Sequence, residues 1–462
     1  MKLSQATRVR TSGYGEYAYV YNTATGYRSL ADGVAPDILE QLRAGATLRE
    51  LADAIMRTYD VNDRAMVLTD CTLFLAELFR NGCLEDVEPE LAQAFEESAM
   101  QMDAAVSETV GDAKDPDQDF DAELRAVCEQ NNTLEHAYFE LTYRCNARCI
   151  HCYEEHCPSS AGELTYGELC RVLDELRAMN TMQVTFTGGE VSMRRDFIDI
   201  CRYATQLDFV VHVYTNGTGF SNDELEALAA LDLGSVSVSL YGPDSASHDA
   251  ITRLPGSFSR AHATLAFFKR CGVRTRVKTI LLTKTLPGMR ELIDLVAAEG
   301  HELELSLQVL APQMGAYDAD ALRVHDVDEL TSIIRYEQEA MGRETPSIRP
   351  GTREHMCGIG RSLNITPTGD ITPCNVLTTP VGNVCKTSIE QVWCRSRELA
   401  VLRCLHRNHL CPKCRSCDLF DYCLYCPGQS WREMGTISVP CPANCELARA
   451  KARGHSGAAD VG

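Results

Sequence analysis

The sequence has few aromatic residues and no long apolar run. Of its 462 residues 7% are aromatic, and no stretch reaches the roughly 18 apolar residues that a membrane-spanning helix needs. The first segment lacks the apolar core of a secretory signal, so we expect a cytoplasmic protein. The apolar fraction of 45% is ordinary and excludes disorder as the overall class. The length suits two to four globular domains.

Basic residues are also in deficit, with 44 Lys and Arg against 65 Asp and Glu and a net charge of −21. A negative chain disfavours generic binding to nucleic acid or to anionic membranes, and we expect neither as a partner. Residues 85–123 hold 14 of the acids and one base, Lys114. We interpret residues 85–133 as an acidic linker with a helix near 88–105; an acidic docking segment is the alternative.

Residues 1–84 predict a small domain similar to a winged helix-turn-helix. Alternating, Tyr-rich segments between residues 15 and 30 predict a β-hairpin or short meander. Thr47 and Asp63 are suitable N-caps for two of the helices that follow. The three predicted helices cover 35–43, 47–59 and 63–80. Nine basic and ten acidic residues without a basic stripe argue against DNA binding here.

Residues 134–311 alternate between strand-like and helix-like patterns. Six β/α repeats in one direction predict a parallel sheet or part of a barrel, with the functional site at the carboxyl ends of the strands. The predicted strands are 136–142, 182–187, 209–214, 235–241, 274–282 and 303–310. The predicted helices are 165–179, 194–206, 222–231, 257–271 and 287–299.

The remainder divides into three regions. Residues 312–344 bridge the β/α repeats to a loop-rich region, 345–450, that is rich in Cys, Gly and Pro. We expect that region to be held together by metal rather than by an apolar core. Residues 451–462 are expected to form a flexible tail.

Cysteine is abundant, with 22 residues, and in a cytosolic chain such a number is more typical of metal ligands than of disulfides. Three thiolates on one short loop can hold three corners of a [4Fe–4S] cube and leave one iron open. A CxxxCxxC motif of this kind follows the first predicted strand, at Cys145, Cys149 and Cys152. Zinc is the alternative metal, and its additional ligands would be Cys157 with His151 or His156.

The second predicted strand ends in Gly188, Gly189 and Glu190. Two glycines let a ligand approach the backbone, and a carboxylate can meet a cation. Together with the CxxxCxxC motif, this segment resembles the radical S-adenosylmethionine (SAM) enzymes over residues 134–311. The resemblance implies an α/β fold with a partial (β/α)6 barrel. It also implies that the three cysteines hold a cluster whose open iron binds SAM.

The same resemblance implies a reaction and a set of cofactor contacts. An external electron donor such as flavodoxin or ferredoxin would reduce the cluster, and SAM would yield a 5′-deoxyadenosyl radical that takes a hydrogen atom from the substrate. The contacts to SAM would come from Gly188, Gly189, Glu190, Asn216, Ser239 and Arg253. For Arg253 a surface ion pair is an equal alternative. His151 stands where the family more often has an aromatic residue, and we expect it to pack in the same way.

The acid–base residues of the reaction are not identified by the sequence. Four polar residues near the predicted strand ends are candidates for facing the cavity, with packing as the alternative: Tyr241, Tyr214, His212 and Gln308.

The loop-rich region carries a second cysteine pattern that resembles the seven-cysteine SPASM extension of radical SAM peptide-modifying enzymes. Its members are Cys357, Cys374, Cys414, Cys417, Cys423, Cys426 and Cys445. The spacing between Cys423 and Cys426 is one residue shorter than is usual, which puts Cys426 in doubt. Zinc ribbons are the alternative interpretation.

The resemblance implies two auxiliary [4Fe–4S] clusters in this C-terminal iron–sulfur SPASM domain. One would use Cys357, Cys374 and Cys426. The second would use Cys414, Cys417, Cys423 and Cys445. The fourth ligand of the first cluster is either absent, which would leave an iron for a substrate thiolate, or one of Cys385, Cys394, Cys404, Cys411 and Cys441.

The N-terminal domain resembles the peptide-recognition element of ribosomal-peptide maturases, which is akin to the small PqqD chaperone of pyrroloquinoline quinone biosynthesis. Such elements bind a leader peptide as an added strand. The domain order therefore predicts a maturase of a ribosomal precursor peptide, closest to the sactipeptide and ranthipeptide synthases that form thioethers. Alternatives are carbon–carbon cross-linking, oxidative decarboxylation, epimerisation, formylglycine formation, and a non-catalytic adaptor that binds a peptide or relays electrons.

Overall fold

The computed structural model describes residues 1–109, 116–154, 161–313, 317–343, 357 and 359–455. His156 and Cys157, the additional zinc ligands considered above, lie outside these residues. No helix in the described ranges combines the length and the apolar character needed to cross a membrane.

The N-terminal domain consists of a three-stranded meander, a small two-stranded pair and three helices. Its strands are β1 (Lys2–Leu3), β2 (Thr7–Arg10), β3 (Ala18–Asn22), β4 (Arg28–Ala31) and β5 (Leu84–Glu85). Its helices are α1 (Ala35–Ala44), α2 (Leu48–Tyr59) and α3 (Arg64–Arg80). Strand β3 pairs antiparallel with β2 and β4, and β1 pairs with β5. Thr47 and Asp63 cap α2 and α3, which confirms both predicted N-caps.

The acidic segment that follows is largely helical. It forms α4 (Pro89–Thr109) and α5 (Pro116–Asn131). Helix α4 packs on α3, where the Phe95 and Phe79 rings lie 5.8 Å apart. Helix α5 packs Phe120 against Tyr19 of β3, with ring centroids 6.0 Å apart. The helix predicted near 88–105 is thus confirmed and runs on to Thr109, and its Phe95 is buried in the core of the N-terminal domain.

The central region forms the predicted partial barrel. Its parallel strands are β6 (His136–Glu140), β7 (Gln183–Thr187), β8 (Val210–Thr215), β9 (Ser235–Ser239), β10 (Thr275–Ile280) and β11 (Glu302–Ser306). They lie side by side in sequence order. The helices are α6 (Tyr166–Ala178), α7 (Phe197–Gln206), α8 (Asn222–Ala229), α9 (Ser245–Thr252), α10 (Ser257–Arg270) and α11 (Met289–Ala298). All six predicted strands and five predicted helices are present, and α9 is an additional helix.

The C-terminal region continues the same sheet. Its strands are β12 (Ser362–Ile365), β13 (Asp370–Thr372) and β14 (Gly382–Asn383), and β12 adds parallel to β6. The helices from the bridging region onward are α12 (Ala319–Leu322), α13 (Val327–Ala340), α14 (Ile389–Arg395), α15 (Arg397–Arg403), α16 (Pro412–Arg415), α17 (Pro427–Met434) and α18 (Pro442–His455).

Two expectations for this region are corrected by the structure. Ile371 and Trp393 are buried in the apolar core of the barrel, so this region is held by a core as well as by any metal. Helix α18 runs past residue 450 to His455, where a flexible tail was expected. It does so because it packs along α13, with Gly454 facing Ile334.

Candidate active site

A cavity of about 260 Å³ lies at the carboxyl ends of the barrel strands, the position expected for the site of such a fold. Its wall includes residues from the loops after β6, β7, β8 and β9. Seven of the residues predicted from the sequence line it: Cys145, Cys149, Cys152, Gly188, Gly189, Asn216 and Ser239.

The three cysteines of the CxxxCxxC motif share one short loop after β6. Backbone hydrogen bonds fix this loop to the end of α9, from Arg148 N to the Thr252 carbonyl and from Ile150 N to the Ile251 carbonyl. Cys145 Sγ accepts a hydrogen bond from Ala147 N at 3.4 Å. Burial, together with the neighbouring Cys152 and Cys145, raises the pKa of Cys149 to about 12. Three thiolates here therefore require a cationic partner such as iron.

The width of the cysteine group bears on the choice of metal. A single zinc ion binds sulfur at about 2.3 Å, so its ligands must converge closely. Within the ranges that the structure covers, no three His, Cys, Asp or Glu side chains converge in this way. An iron–sulfur cube is larger than one ion and suits more widely spaced thiolates.

The two glycines after β7 serve to bring two loops together. A Cβ atom at Gly189 would lie 2.4 Å from the Arg144 carbonyl oxygen, and one at Gly188 would lie 2.5 Å from that of Thr142. Gly189 N donates to the Thr142 carbonyl at 2.8 Å. The glycines are therefore required by contact with the cysteine loop, and both also line the cavity.

Glu190 is buried behind the cavity wall, and it is absent from the residues found to line the cavity. Its carboxylate accepts hydrogen bonds from Thr215 Oγ1 and Asn216 N, both at 2.6 Å, and from Ser192 N. Burial raises its pKa, and these hydrogen bonds oppose the rise. In this structure Glu190 therefore fixes the end of β8 and the backbone of Asn216.

The other predicted contacts divide into two groups. Asn216 lines the cavity and donates to Asn146 at 2.7 Å, and Ser239 lines it from the end of β9. Arg253, in contrast, is exposed at the C-terminus of α9 with a φ of 54° and lies outside the cavity lining. The structure therefore does not bring Arg253 to the other predicted contacts.

His151 and three of the four polar candidates also border internal cavities. His151 packs edge-on against Tyr241, with ring centroids 4.7 Å apart, as expected for an aromatic substitute. Tyr241 and Tyr214 line the cavity. His212 lies below it, on a second cavity, whereas Gln308 is bonded to the Leu424 carbonyl of the C-terminal region.

The second cavity, of about 960 Å³, occupies the amino-terminal half of the barrel. Tyr138 and Tyr214 line both cavities and separate them. Tyr21 and Arg28 of the N-terminal domain also reach its wall. The barrel interior is therefore polar from the N-terminal domain to the cysteine loop.

A polar group on the side of the cavity toward the C-terminal region was not predicted. Glu140 at the end of β6, together with Glu154 and Asn375, lines the cavity. Arg432 of α17 is electrostatically coupled to both carboxylates, and its Nη2 is buried without a hydrogen-bond partner. These residues are far apart in sequence, so no local motif could have revealed them.

The first auxiliary set of cysteines is brought together. The electrostatic neighbours of Cys357 include Cys426 and Cys374. Cys374 Sγ accepts a hydrogen bond from Leu377 N at 3.2 Å, and Cys426 Sγ accepts one from Gln429 N at 3.4 Å. Such N–H···S bonds are typical around iron–sulfur clusters. The shorter spacing before Cys426 thus still places its thiol beside the other two.

The second set is also gathered at one place. Cys414 is coupled to Cys423 and Cys445, and it shares an apolar cluster with Cys417. Cys411, which was considered for the first set, has its Sγ 3.7 Å from that of Cys414. Of the other four thiols considered there, Cys441 is buried beside Glu433, and three are exposed: Cys385, Cys394 and Cys404.

Comparisons with known proteins agree with this geometry. Residues 139–296 match the radical SAM superfamily, and residues 357–418 match an iron–sulfur cluster-binding domain, SPASM. The first match covers the β/α repeats from β6 to α11, and the second begins at Cys357.

Named relatives cover most of the same region. An AdoMet-dependent heme synthase of Nitratidesulfovibrio vulgaris is 25% identical over 328 residues, which are 64% of this chain and 88% of that protein. The mycofactocin maturase MftC of Mycobacterium tuberculosis is 28% identical over 302 residues, 62% of this chain and 76% of that protein.

A solved structure extends the similarity to the N-terminal domain. Streptococcus suis SuiB bound to precursor peptide SuiA aligns with a TM-score of 0.62 at 13% identity, and the alignment covers 96% of this chain and 99% of SuiB. At this identity the similarity concerns the fold alone.

The residues present fit the cofactors of these proteins. The cysteine loop offers three grouped thiols beside a cavity, and two further groups of thiols lie in the C-terminal region. The chain is therefore a radical SAM enzyme with a SPASM domain, and its cofactors are SAM, a [4Fe–4S] cluster and auxiliary iron–sulfur clusters.

Proposed function

We propose that this enzyme modifies a ribosomally made precursor peptide and that it forms thioether links between Cys sulfur and carbon atoms of that peptide. The N-terminal domain carries the peptide part of the proposal. Its meander ends in β4, which pairs with β3 on one side only in the described sheet and is half-buried. An extended leader can add to such an edge by main-chain hydrogen bonds. This is the role of a PqqD-like element.

The N-terminal domain is attached directly to the base of the barrel. Arg10 of β2 is buried and donates to Asp208, with Nη1 3.0 Å from Oδ2 and Nη2 2.7 Å from the Asp208 carbonyl oxygen. Its Nε donates to the Thr181 carbonyl. A leader held on β4 would thus keep the rest of the peptide close to the barrel. SuiB, which has a similar fold, has been solved bound to a precursor peptide, and this supports a peptide as the substrate.

We assign the cofactors to the residues that the structure groups. Cys145, Cys149 and Cys152 would hold the SAM-binding cluster, and the cavity wall at Gly188, Gly189, Asn216 and Ser239 would bind SAM. The first auxiliary cluster would use Cys357, Cys374 and Cys426. The second would use Cys414, Cys417, Cys423 and Cys445. When bound, SAM and the reduced cluster supply the acceptor for one substrate hydrogen atom, with flavodoxin or ferredoxin as electron source.

Thioether formation removes a hydrogen atom, a proton and an electron from the peptide. A carbon atom loses one hydrogen atom to the SAM-derived acceptor, and the Cys thiol loses its proton. The sulfur–carbon bond then forms, and one surplus electron leaves. An auxiliary cluster next to the cavity offers the acceptor for that electron, because Cys374 is adjacent to the cavity residue Asn375.

The test is anaerobic incubation of the enzyme with SAM, a reductant and the precursor peptide encoded beside its gene. We expect a product lighter by two hydrogens per link, with one fewer thiol open to alkylation for each link. An unchanged peptide mass while SAM is cleaved would contradict the proposal.

The alternative modifications give other results in the same experiment. A carbon–carbon cross-link also removes two hydrogens but leaves every thiol open to alkylation. Loss of formic acid would indicate decarboxylation, and deuterium uptake without a net loss would indicate epimerisation. Each of these results would contradict the proposed thioether product, whereas the proposal that the substrate is a peptide would stand.

A further inference from the structure

Glu140 holds an unusual place in the cavity. It is the last residue of β6, which lies between β7 and β12, and it pairs with Thr187 of β7. The side chain is buried, 5% exposed, and it lines the cavity together with the three cysteines of the SAM-binding loop. A carboxylate at the carboxyl end of a barrel strand is in position to meet substrate.

The carboxylate has a neutral partner and no adjacent cation. Asn364 Nδ2 donates to Glu140 Oε1 at 2.9 Å, and the same nitrogen lies 3.1 Å from Thr372 Oγ1. Among the described residues, no Lys, Arg or His nitrogen lies within ion-pair distance of Glu140, and its Oε2 has no recorded hydrogen bond. A buried carboxylate without an ion pair favours its protonated form and accepts a proton readily.

Charged and titratable groups on several elements face Glu140. Glu154 lines the same cavity and interacts electrostatically with Glu140. Arg432 of α17 and the phenols of Tyr143 and Tyr153 interact with it as well. Burial raises the pKa of Glu140 to about 7, and Asn364 and Arg432 oppose the rise. Near neutral pH the group can therefore both release and accept a proton, as general acid–base catalysis requires.

We propose that Glu140 is the base that takes the proton from the attacking thiol of the substrate. The inference rests on the thioether function proposed above. The carbon–hydrogen bond breaks first, and its hydrogen atom goes to the SAM-derived acceptor. The thiol proton then passes to Glu140 Oε2, the sulfur–carbon bond forms, and one electron passes to an auxiliary cluster. Glu140 returns its proton to water when product leaves.

Two features favour Glu140 over the other carboxylates of the barrel. Glu140 is bonded to Asn364 of β12, which is bonded to Thr372 of β13, two residues before Cys374. The proposed base therefore lies on the side of the cavity toward the cysteines of the first auxiliary set. Glu190 is already engaged by three donors from the protein. Glu135, just before the same strand, is bonded to Gln183 and faces the lower cavity.

The experiment compares Glu140→Gln with the matched variant Glu135→Gln, which also removes a buried carboxyl from this strand region. For Glu140→Gln we expect iron content and SAM cleavage, with transfer of a substrate hydrogen to 5′-deoxyadenosine, within about twofold of wild type. Thioether formation should fall by about 100-fold or more, the usual scale for losing a base. Glu140→Asp should restore part of it, and Glu135→Gln should retain it.

Two further readouts separate a base from a merely structural residue. The pH profile of thioether formation should rise through about pH 7 in the wild type and lose that rise in Glu140→Gln. Infrared difference spectra on adding peptide without SAM should show a protonated carboxyl signal that Glu140→Gln lacks. Equal losses of SAM cleavage and product, or an unchanged pH profile, would overturn the inference. If the wild-type enzyme forms a product other than the thioether, the proposed function is wrong. If it forms the thioether and Glu140→Gln does too, only the role of Glu140 is wrong.

Discussion

At the scale of single residues, Gly189 has no room for a side chain. An added Cβ would lie 2.4 Å from the Arg144 carbonyl oxygen and 2.8 Å from its carbonyl carbon. Both are backbone atoms of the cysteine loop, so relief requires moving the loop itself. We expect Gly189→Ala to lower SAM cleavage at least tenfold and to lose about four of the roughly twelve irons that three [4Fe–4S] clusters contain.

The measurement is iron and acid-labile sulfide per chain, with SAM cleavage assayed in parallel. Gly167→Ala is the control, because nothing lies within 4 Å of the added Cβ and the residue is on α6. That variant should keep its iron and activity. Full iron and activity in Gly189→Ala would show that the cysteine loop can move to accommodate the methyl group.

Some residues of the site could be predicted from the sequence, and others could not. The motifs placed seven residues on the cavity because family spacing fixes which loop carries them. Glu190 belongs to the motif, but its carboxylate accepts hydrogen bonds from Thr215 and Asn216 and does not line the cavity. Glu140 and Arg432 meet only through the fold, across almost 300 positions, so no periodicity or spacing could predict their proximity.

At the scale of elements, strand and helix positions were accessible from the sequence. Apolar alternation and cap residues are local signals, and the capping boxes at Thr165 and Ser221 set the starts of α6 and α8. The addition of β12 to the barrel sheet was not accessible, because strand pairing between residues 136–139 and 362–365 leaves no local pattern. The apolar core of the C-terminal region was missed for the same reason.

Three neighbouring strands carry a half-buried histidine network that makes stability depend on pH. His136 of β6 lies 2.8 Å from Thr185 Oγ1 of β7, and His212 of β8 bonds Gln183 and Ser235. Burial lowers the pKa of His136 to about 3 and holds that of His212 well below its usual range. Unfolded histidine titrates near 6.5, so below that pH the unfolded chain binds protons that the fold excludes.

The free energy of unfolding should therefore fall as the pH decreases below about 6.5. The expected decrease is about 1.4 kcal/mol per pH unit for each of the two histidines. The thermal unfolding midpoint, followed from pH 7.5 to 5.5, checks this. His136→Gln should make the dependence shallower, because it removes one of the two histidines that the fold keeps neutral. Parallel curves for wild type and His136→Gln would contradict the role given to this network.

At the scale of the whole molecule, most of the net charge of −21 comes from one segment and not from the active site. Residues 85–123 supply 13 of the excess acids, and the described part of this segment lies largely in α4 and the first half of α5, beside the N-terminal domain. The barrel interior instead holds paired charges, such as Arg276 with Glu302 at 2.7 Å. The wall of the second cavity therefore carries charges of both signs.

Under the leader binding proposed above, the attachment of the N-terminal domain to the barrel would determine how much a bound leader assists the reaction. Tethering raises the local concentration of the core peptide only while the domain keeps its place. Asp208 receives Arg10 and also lies near Arg8 and Arg43. Asp208→Asn leaves the buried Arg10 without its counter-charge, so we expect it to loosen the attachment.

The expected result is that Asp208→Asn raises KM for the full precursor at least tenfold, with kcat and leaderless-peptide turnover within twofold of wild type. Asp232→Asn is the matched control, because Asp232 is half-exposed and lies 3.7 Å from Arg8, where an ion pair contributes at most about 1 kcal/mol. Steady-state kinetics on precursor and leaderless peptide make the comparison. An equal KM for the two peptides in wild-type enzyme would show that the leader is not bound by the N-terminal domain, because tethering would then give no advantage to lose.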